Sequence, residues 1–339
     1  MAQDAGGTYV LVCTGTDPNE QERNDATTHL SKFLTECGYA GTDADFKTWG
    51  QSDLVGILQR FPSLALRING NGAVDFQPHT VWSSQAEMSK PFKVGAKQQG
   101  FIDSVQEQLR RADGPVHVRV RGEAGIGKTR LILETTRPDD LRPLVIYCDL
   151  PTKVDGALMK ALLNDNPEIA AIVIVDECDL ENRTRIWNQL QNKSPRIKLV
   201  TIYNDIDEPA GTTIVQDASP LEDEKIAQII EEYDVPSDHA RRWAAEYCDG
   251  SPRVAHVIGR NLKNNPDDIL KQPDTVNVWD RYVAGEDKLD SEDVQQRRVA
   301  LRHIALFKRF GYGGSVSGRG EGSGEARGAG QSTDHLGKI

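Results

Sequence analysis

The sequence lacks the long apolar run that a membrane-spanning helix needs. No stretch of about 18 consecutive apolar residues occurs anywhere in the chain. The first residues, MAQDAGGTYVLVC, also lack the basic stretch that precedes the apolar part of a secretory signal peptide. We therefore expect a cytoplasmic protein with no membrane partner.

Paired cysteines and an excess of positive charge are missing as well. The five cysteines include no CxxC pair, so neither a disulfide framework nor a zinc site is predicted. The formal net charge is −11, which argues against a surface covered by nucleic acid, because phosphate contacts depend on Lys and Arg. A local basic patch is compatible with this charge. The 38% hydrophobic and 27% charged content is typical of a globular protein, so a folded core is expected.

Apolar runs and helical patterns alternate through the middle of the chain. Residues 92–219 contain five strand-like runs separated by helices, which predicts an α/β core with a five-stranded parallel sheet covered on both faces. Residues 1–69 form a small α/β segment in which TYVLVCT and PSLALRI are the predicted strands. The other predicted regions are a linker at 70–91, a helical lid at 220–266, a further helical region at 267–310 and a disordered Gly-rich tail at 311–339.

A glycine-rich segment, GEAGIGKT at Gly122 to Thr129 (the P-loop), fits the phosphate-binding pattern G-x-x-x-x-G-K-[ST]. It lies between strand VHVRV and a helix beginning at Lys128, so backbone N–H groups can surround phosphates there. Lys128 is expected to reach the β- and γ-phosphates, and Thr129 to bind Mg²⁺. A glycine-rich turn without nucleotide is the alternative. The predicted nucleotide contacts in this segment are Gly122, Glu123, Ala124, Gly125, Ile126, Gly127, Lys128, Thr129 and Arg130.

Two adjacent carboxylates end the apolar strand IVIVDE. Asp176 is predicted to hold Mg²⁺, and Glu177 is predicted to polarise the attacking water. The alternative is a solvated acidic pair at a strand end. The run LVIYC lies between the two motifs in sequence, and we expect it to place an extra strand between the P-loop strand and the strand that ends in Asp176.

Three further residues, at two places in the chain, are candidate site residues. Asn204 follows strand IKLVTIY and is predicted to orient the water or sense the γ-phosphate, with Thr201 as the other candidate and a simple turn residue as the alternative. Pro252 and Arg253 begin a helix after Gly250. They are predicted to contact the adenine and the phosphates, although a proline in the first helical turn is also ordinary capping.

Together, GEAGIGKTRL, the VIVDECD strand, Asn204 and the GSPR helix resemble the AAA+ and STAND classes of P-loop ATPase over about residues 92–265. The resemblance implies ATP or ADP bound with Mg²⁺ between an ASCE-type core and a helical lid. It also implies slow hydrolysis and formation of a homo-oligomer on activation by an unknown protein or nucleic-acid trigger, in signalling or antiphage defence.

The resemblance is incomplete at both ends. VALRHIALFKRF resembles the beginning of a winged-helix domain whose remainder is missing, which suggests a truncated chain. Residues 1–69 weakly resemble a remnant of a restriction-endonuclease-like domain, but they contain no convincing Asp…Glu-x-Lys set, so no nuclease activity is predicted. The family usually has a Gly-Arg-Glu-like motif ahead of the P-loop helix. In this chain, Val94-Gly95-Ala96-Lys97 keeps only the glycine, Gly95. No arginine finger is assigned among Arg183, Arg185 and Arg196.

Aromatic and basic residues outside these motifs favour packing over nucleic-acid contact. Trp49 and Trp82 are interpreted as packing residues and not as base-stacking platforms. The predicted helix VQQRRVALRHIALFKRF is rich in basic residues, which are interpreted as a solvated face of the helix, the alternative being a nucleic-acid contact. Its basic residues are Arg297, Arg298, Arg302, Lys308 and Arg309.

Three functional hypotheses follow from the sequence. The first is a STAND-type regulatory switch, the second a continuously active AAA+ machine or loader acting on nucleic acid or protein, and the third an ATP- or ADP-binding module without turnover. A GTPase is disfavoured because Asn192-Lys193 is not followed by the Asp that reads guanine. A transporter ATPase is disfavoured because no LSGGQ-like signature follows the P-loop.

Overall fold

The structure is a computed structural model that describes residues 8–38, 46–68, 76–154, 157–163, 168–193, 195–204, 213–264, 283 and 292–304. Contacts divide the chain into two units, one of Met1–Phe92 with Ala96–Ser219 and one of Lys93–Gly95 with Pro220–Ile339. Across the described ranges, no helix is both long enough and apolar enough to span a bilayer.

The first unit begins with a two-stranded parallel sheet and three helices. The elements are β1 (Tyr9–Val12), α1 (Glu20–Glu36), β2 (Phe46–Trp49), α2 (Gln51–Arg60) and α3 (Pro62–Ile68). Helix α1 begins at a capping box, because the Asn19 side chain accepts from the Glu22 N–H at 2.9 Å and the Glu22 carboxylate accepts from the Asn19 N–H at 2.8 Å.

The prediction of a strand at PSLALRI was wrong, since these residues form α3. Pro62 stands at the first helical position, where its missing N–H costs nothing. This end of the segment is attached to the core of the unit. Arg60 forms an ion pair with Glu168 at 2.8 Å, the Ala170 N–H donates to the Arg60 carbonyl at 2.9 Å, and the Ser63 hydroxyl donates to the Pro143 carbonyl.

The rest of the first unit is a central sheet with flanking helices. In chain order its elements are β3 (Gln77–Pro78), α4 (His79–Ser83), α5 (Ala96–Arg110), β4 (Val116–Arg121), α6 (Lys128–Thr135), β5 (Val145–Cys148), α7 (Ala157–Leu162), β6 (Ala171–Val175), α8 (Leu180–Leu190), β7 (Ile197–Tyr203) and β8 (Thr213–Asp217).

Alternating side chains on these strands enter two apolar cores, one on each face of the sheet. On one face, Ile172, Ile174 and Val200 pack with residues of α5 and α6. On the other face, Val173 and Leu199 pack with residues of α7 and α8. Burial on both faces explains why the strands read as continuous apolar runs.

The sheet has six strands in the order β3-β5-β6-β7-β4-β8, so the prediction of five parallel strands was wrong in one respect. All five predicted strands are present and parallel, but β3 adds an antiparallel edge through pairing of Gln77 with Tyr147 and Pro78 with Ile146. These residues lie inside the predicted linker at 70–91. A two-residue strand containing proline has too little periodicity to be recognised, and proline is tolerated at a sheet edge.

The order of strands also corrects one expectation about the site. Strand β7 lies between β4 and β6, whereas β5, the LVIYC run, pairs with the opposite side of β6. The extra strand between the two motifs is therefore IKLVTIY. Asn204, which follows β7, lies between the ends of β4 and β6 as predicted.

The described residues of the second unit after Pro220 form helices. This unit contains α9 (Asp223–Glu231), α10 (Ser237–Trp243), a π-helical turn (Ala244–Cys248), α11 (Pro252–Asn264) and α12 (Glu292–Ile304). The three helices predicted after Pro220 are thus present, and their apolar faces form one core that includes Ile226, Trp243 and Ile258. Gly250 separates α10 from α11 with φ 67°, and a Cβ there would lie 2.5 Å from Pro220 Cβ. The predicted tail at 311–339 lies outside the described residues.

Candidate functional site

The glycine-rich segment forms a tight loop between β4 and α6. Gly122 has φ 147°, and a Cβ at this position would lie 2.6 Å from Ile126 Cδ1, so only glycine fits without a shift. Gly127 has φ 89° and is the residue from which α6 begins. Glu123 and Ala124 are exposed, whereas Ile126 is buried and anchors the loop. The loop thereby leads directly into the first turn of α6, and the N–H groups of a first helical turn can bind an anion.

Lys128 is the first residue of α6 and bends back over the loop. Its Nζ donates to the Gly122 carbonyl at 3.0 Å, to the Glu123 carbonyl at 2.7 Å and to Asn204 Oδ1 at 2.6 Å. Burial lowers the pKa of Lys128, and the carboxylates of Asp176 and Glu177 partly oppose that shift. The structure therefore brings Lys128 and Asn204 together, and the predicted roles of both residues stay predictions.

Thr129 and Asp176 form the second contact of the site. The Thr129 hydroxyl donates to Asp176 Oδ2 at 2.7 Å, which joins the helix after the P-loop to the end of β6. The Asp176 N–H donates to the Cys148 carbonyl at 2.8 Å, so the backbone at this strand end is fixed by β5. Hydroxyl and carboxylate oxygens are the ligands that Mg²⁺ prefers, and one or two of them suffice when phosphates supply the rest.

Glu177 adopts an unusual backbone conformation beside this pair. Its φ is 47°, which is uncommon for a residue with a side chain, and its N–H donates to Asp176 Oδ1 at 3.0 Å. The side chain of Glu177 is exposed, whereas Asp176 is half-buried. Residues held in such backbone conformations are frequent at functional sites.

Tyr147 contributes a contact that sequence reasoning missed. Its hydroxyl donates to Asp176 Oδ2 at 3.2 Å, the oxygen that also accepts from Thr129. Burial raises the pKa of Tyr147, and the nearby Asp176 carboxylate raises it further, so the phenol is neutral at pH 7. The signal in the sequence was a single phenol in the otherwise apolar run LVIYC.

Several predicted residues lie elsewhere. The Arg130 guanidinium contacts the carbonyls of Met88 and Lys90, each at 2.8 Å, and Glu134 at 2.7 Å, so it fastens the chain before α5 and does not point into the P-loop. Thr201 is buried and bonded to His117 at 2.9 Å, which removes it as the alternative to Asn204.

The other uncertain side chains are explained by burial or by their place in the chain. Trp82 is fully buried and stacks on Tyr147, which confirms its packing role. Arg183 is buried as well, so it is not displayed as an arginine finger. Pro252 and Arg253 begin α11 in the second unit, and their role stays a prediction.

Comparison with known proteins finds similarity of structure only. No protein-family model and no curated protein matches the chain. Among solved structures, the chain is similar to the Orc2 protein of Aeropyrum pernix, with TM-score 0.40, 15% identity and coverage of 62% of this chain and 72% of that one. It is similar to Cdc6p of Pyrobaculum aerophilum, with TM-score 0.40, 12% identity and coverage of 69% and 80%.

A third similar structure is a STAND protein with a tetratricopeptide repeat sensor from Pyrococcus horikoshii. The TM-score is 0.38 and the identity 14%, with coverage of 72% of this chain and 38% of that one. TM-scores this low do not define a family or a function. The functional assignment therefore rests on the residues of the site.

Proposed function

We propose that this chain binds ATP with Mg²⁺ and hydrolyses it slowly, as a regulatory switch of the STAND type. The observation that carries the proposal is that four side chains meet at the carboxyl ends of the parallel strands of the central sheet. Lys128 contacts Asn204 at 2.6 Å, and Thr129 contacts Asp176 at 2.7 Å. The first pair suits the terminal phosphates of a nucleotide, and the second suits the metal ion that accompanies them.

The residues present fit Mg²⁺ better than a metal held by protein alone. In the described ranges, no group of three or more His, Cys, Asp or Glu side chains could hold a metal ion. Mg²⁺ does not need such a group, because it keeps water and phosphate oxygens as ligands beside one or two protein oxygens. Thr129 and Asp176 would hold it. When bound, Mg²⁺ supplies charge neutralisation on the phosphate oxygens.

Each residue of the site has a separate task in this proposal. Lys128 neutralises charge on the β- and γ-phosphates, because its Nζ lies over the loop, where it donates to the carbonyls of Gly122 and Glu123. Glu177 accepts a hydrogen bond from the attacking water and later takes its proton. Asn204 orients that water or senses the γ-phosphate, and its amide oxygen is already bonded to Lys128.

The regulatory part of the proposal rests on the sequence resemblance and on the helical second unit that carries Pro252 and Arg253. The two alternatives are a continuously active AAA+ machine or loader and an ATP- or ADP-binding module without turnover. Turnover separates them. Tightly retained ADP with a very low basal rate favours the switch, and steady hydrolysis that depends on oligomer formation favours the machine. Retained nucleotide without any hydrolysis favours the module.

The test is the nucleotide content and ATP turnover of the purified protein. We expect the wild type to retain nucleotide and to hydrolyse ATP only with Mg²⁺. Lys128→Ala should lose both properties, because the phosphates lose their buried cation. Glu177→Gln should keep nucleotide and lose at least about a hundredfold in turnover, since a general base commonly contributes 10²–10⁴-fold.

Matched controls separate these effects from a general loss of charge. Lys263→Ala removes a lysine that pairs with Asp234 in the second unit, and Glu181→Gln neutralises an exposed carboxylate in the first turn of α8. Both should behave as the wild type. A wild-type protein that neither retains nor hydrolyses ATP or ADP contradicts the proposal, and so does a Lys128→Ala variant that behaves as the wild type.

A further inference from the structure

Asp176 is held from two sides through one oxygen. Thr129 approaches Oδ2 from α6 at 2.7 Å, and Tyr147 approaches the same Oδ2 from β5 at 3.2 Å. The other oxygen, Oδ1, accepts from the Glu177 N–H at 3.0 Å. Both rotations of the carboxylate, about χ1 and χ2, are thereby restricted by side-chain and backbone donors.

Tyr147 is itself fixed by residues that precede the P-loop core in sequence. Its ring stacks on Trp82 with the ring centroids 4.2 Å apart and an interplanar angle of 4°. Tyr147 is 6% exposed and Trp82 is fully buried, so neither ring has room to turn. The backbone of Tyr147 also pairs with Gln77 of β3.

The segment from β3 to α4 is connected to the P-loop helix as well. His79, the first residue of α4, has its Nε2 3.3 Å from the Leu133 carbonyl of α6. Segment Gln77–Ser83 therefore contacts both elements that supply donors to Asp176, namely α6, which carries Thr129, and β5, which carries Tyr147. A displacement of this segment would therefore shift the Asp176 carboxylate, through the stacked rings of Trp82 and Tyr147 and the hydrogen bond from Tyr147 to Asp176.

We infer that Tyr147 is a positioning residue for the metal site, which holds the Asp176 carboxylate in the orientation that binds Mg²⁺, with Trp82 as its support. This inference rests on the proposed function. A neutral phenol can donate to the carboxylate without competing for its charge, as outer partners of metal ligands commonly do. Tyr147 would touch neither the nucleotide nor the reacting water, so its effect should be confined to metal affinity.

The test is a Mg²⁺ titration of nucleotide binding, read by the fluorescence of an N-methylanthraniloyl ADP analogue. Tyr147→Phe keeps the ring on Trp82 and removes only the hydroxyl. We expect the Mg²⁺ concentration at half-maximal binding to rise by about tenfold, the lower end of what loss of an outer-shell partner costs. Binding of the analogue in EDTA should not change, because the phosphate contacts of Lys128 are intact.

A control variant tests whether the effect is specific to Tyr147, and a double variant tests whether it depends on Asp176. Tyr233→Phe is the matched control, since it removes a phenol bonded to His256 at 3.0 Å in the second unit, and it should leave the Mg²⁺ midpoint unchanged. In an Asp176→Asn background, Tyr147→Phe should not weaken binding further, because the two residues act as one unit. If Tyr147→Phe does not fold, Trp82→Phe takes its place and should also raise the midpoint.

The outcomes separate this inference from the proposed function. A wild type without Mg²⁺-dependent binding of the analogue overturns both. A wild type that binds, together with a Tyr147→Phe variant of unchanged or lower Mg²⁺ midpoint, overturns the role of Tyr147 alone. An equal loss of affinity with Mg²⁺ and in EDTA also overturns it, because that result indicates a general packing role. If Tyr147→Phe does not fold and Trp82→Phe is used instead, an unchanged Mg²⁺ midpoint for Trp82→Phe overturns the inference.

Discussion

Strand β1 of the small sheet and the inner strands of the central sheet are made of similar residues and differ in burial. Val118 of β4 and Val200 of β7 are fully buried, whereas Val10, Leu11 and Val12 of β1 are 38%, 41% and 44% exposed. The central strands have neighbours on both sides and helices on both faces, and among the described residues β1 pairs only with β2. Apolar composition therefore favours a strand, but the number of neighbouring layers decides whether that strand can hold a site rigidly.

The largest expected effect compares one core residue with one residue of β1. Ile174→Ala should destabilise the protein by about 2–5 kcal/mol, because it leaves a cavity in a packed core. Leu11→Ala should cost within about 0.5 kcal/mol, since its side chain is largely in water. Urea denaturation of both variants measures the difference. Equal losses would break the comparison and show that the small sheet is as important for stability as the central one.

The next prediction concerns Arg130 of α6, which donates to the carbonyls of Met88 and Lys90 before α5. Arg130→Ala should cost about 1–3 kcal/mol, because it leaves the carbonyls of Met88 and Lys90 without their donor and the largely buried Glu134 carboxylate with Arg137 as its remaining ion-pair partner. Arg130→Lys should recover only part of this, since an ammonium cannot span three acceptors. Arg137→Ala removes the more exposed partner of Glu134 and is the control. Equal thermal midpoints for Arg130→Ala and Arg137→Ala would contradict this account.

A buried histidine makes the core sensitive to acid. Burial, followed by the charges of Arg183 and Arg119, lowers the pKa of His117 from its ordinary 6.5 to about 3. The unfolded chain therefore takes up a proton below pH 6.5 that the folded chain does not, and stability falls as the pH drops from about 6.5 toward 3. By about pH 5 the loss should be about 2 kcal/mol.

The acid effect is measured by denaturation at pH 7 and pH 5 in the wild type and in His117→Gln. Glutamine can keep polar contacts with Thr201 and Thr213, and every other titrating group is common to both proteins. The variant should lose less stability between the two pH values. The same loss in both proteins would show that His117 does not titrate as proposed.

The smallest effect compares equivalent helix caps in the two regions. Asn19→Ala and Asp179→Ala each remove a side chain that accepts from a backbone N–H at 2.9 Å, and each should cost about 1 kcal/mol of local stability. For Asn19 the loss should be confined to faster hydrogen exchange in α1, whereas for Asp179 it should also lower the global unfolding midpoint, because α8 packs in the core. A global effect of Asn19→Ala would contradict this distinction.

Sequence reasoning reached the main features of the core because each had a strong local signal. Strands β5 and β6 are continuous apolar runs, and the P-loop glycines mark a strand-to-helix turn. The meeting of Thr129 with Asp176, and of Lys128 with Asn204, follows from parallel strands ending at one edge. These features are determined by residues close together in sequence and by the rules of parallel sheets.

The errors occurred where tertiary contacts override local pattern. PSLALRI has the composition of a strand, but it begins with a proline suited to a helix start and forms α3. Strand β3 consists of Gln77 and Pro78, which are extended because they pair with β5. The Arg130 guanidinium donates to two carbonyls about forty residues earlier in the chain, which no local pattern indicates, and the contact of Arg130 with the nucleotide stays a prediction. Tyr147 was missed because its partner is on the next strand.

The most direct test of the central claim is equilibrium binding of ATP to the wild type and to Lys128→Ala, each measured with Mg²⁺ and with EDTA. The account predicts that the wild type binds ATP and that Mg²⁺ strengthens the binding, because Lys128 and the Thr129–Asp176 pair act on one phosphate chain. Lys128→Ala should lose binding under both conditions. Equal binding by the two proteins would contradict the assignment of this loop as the nucleotide site.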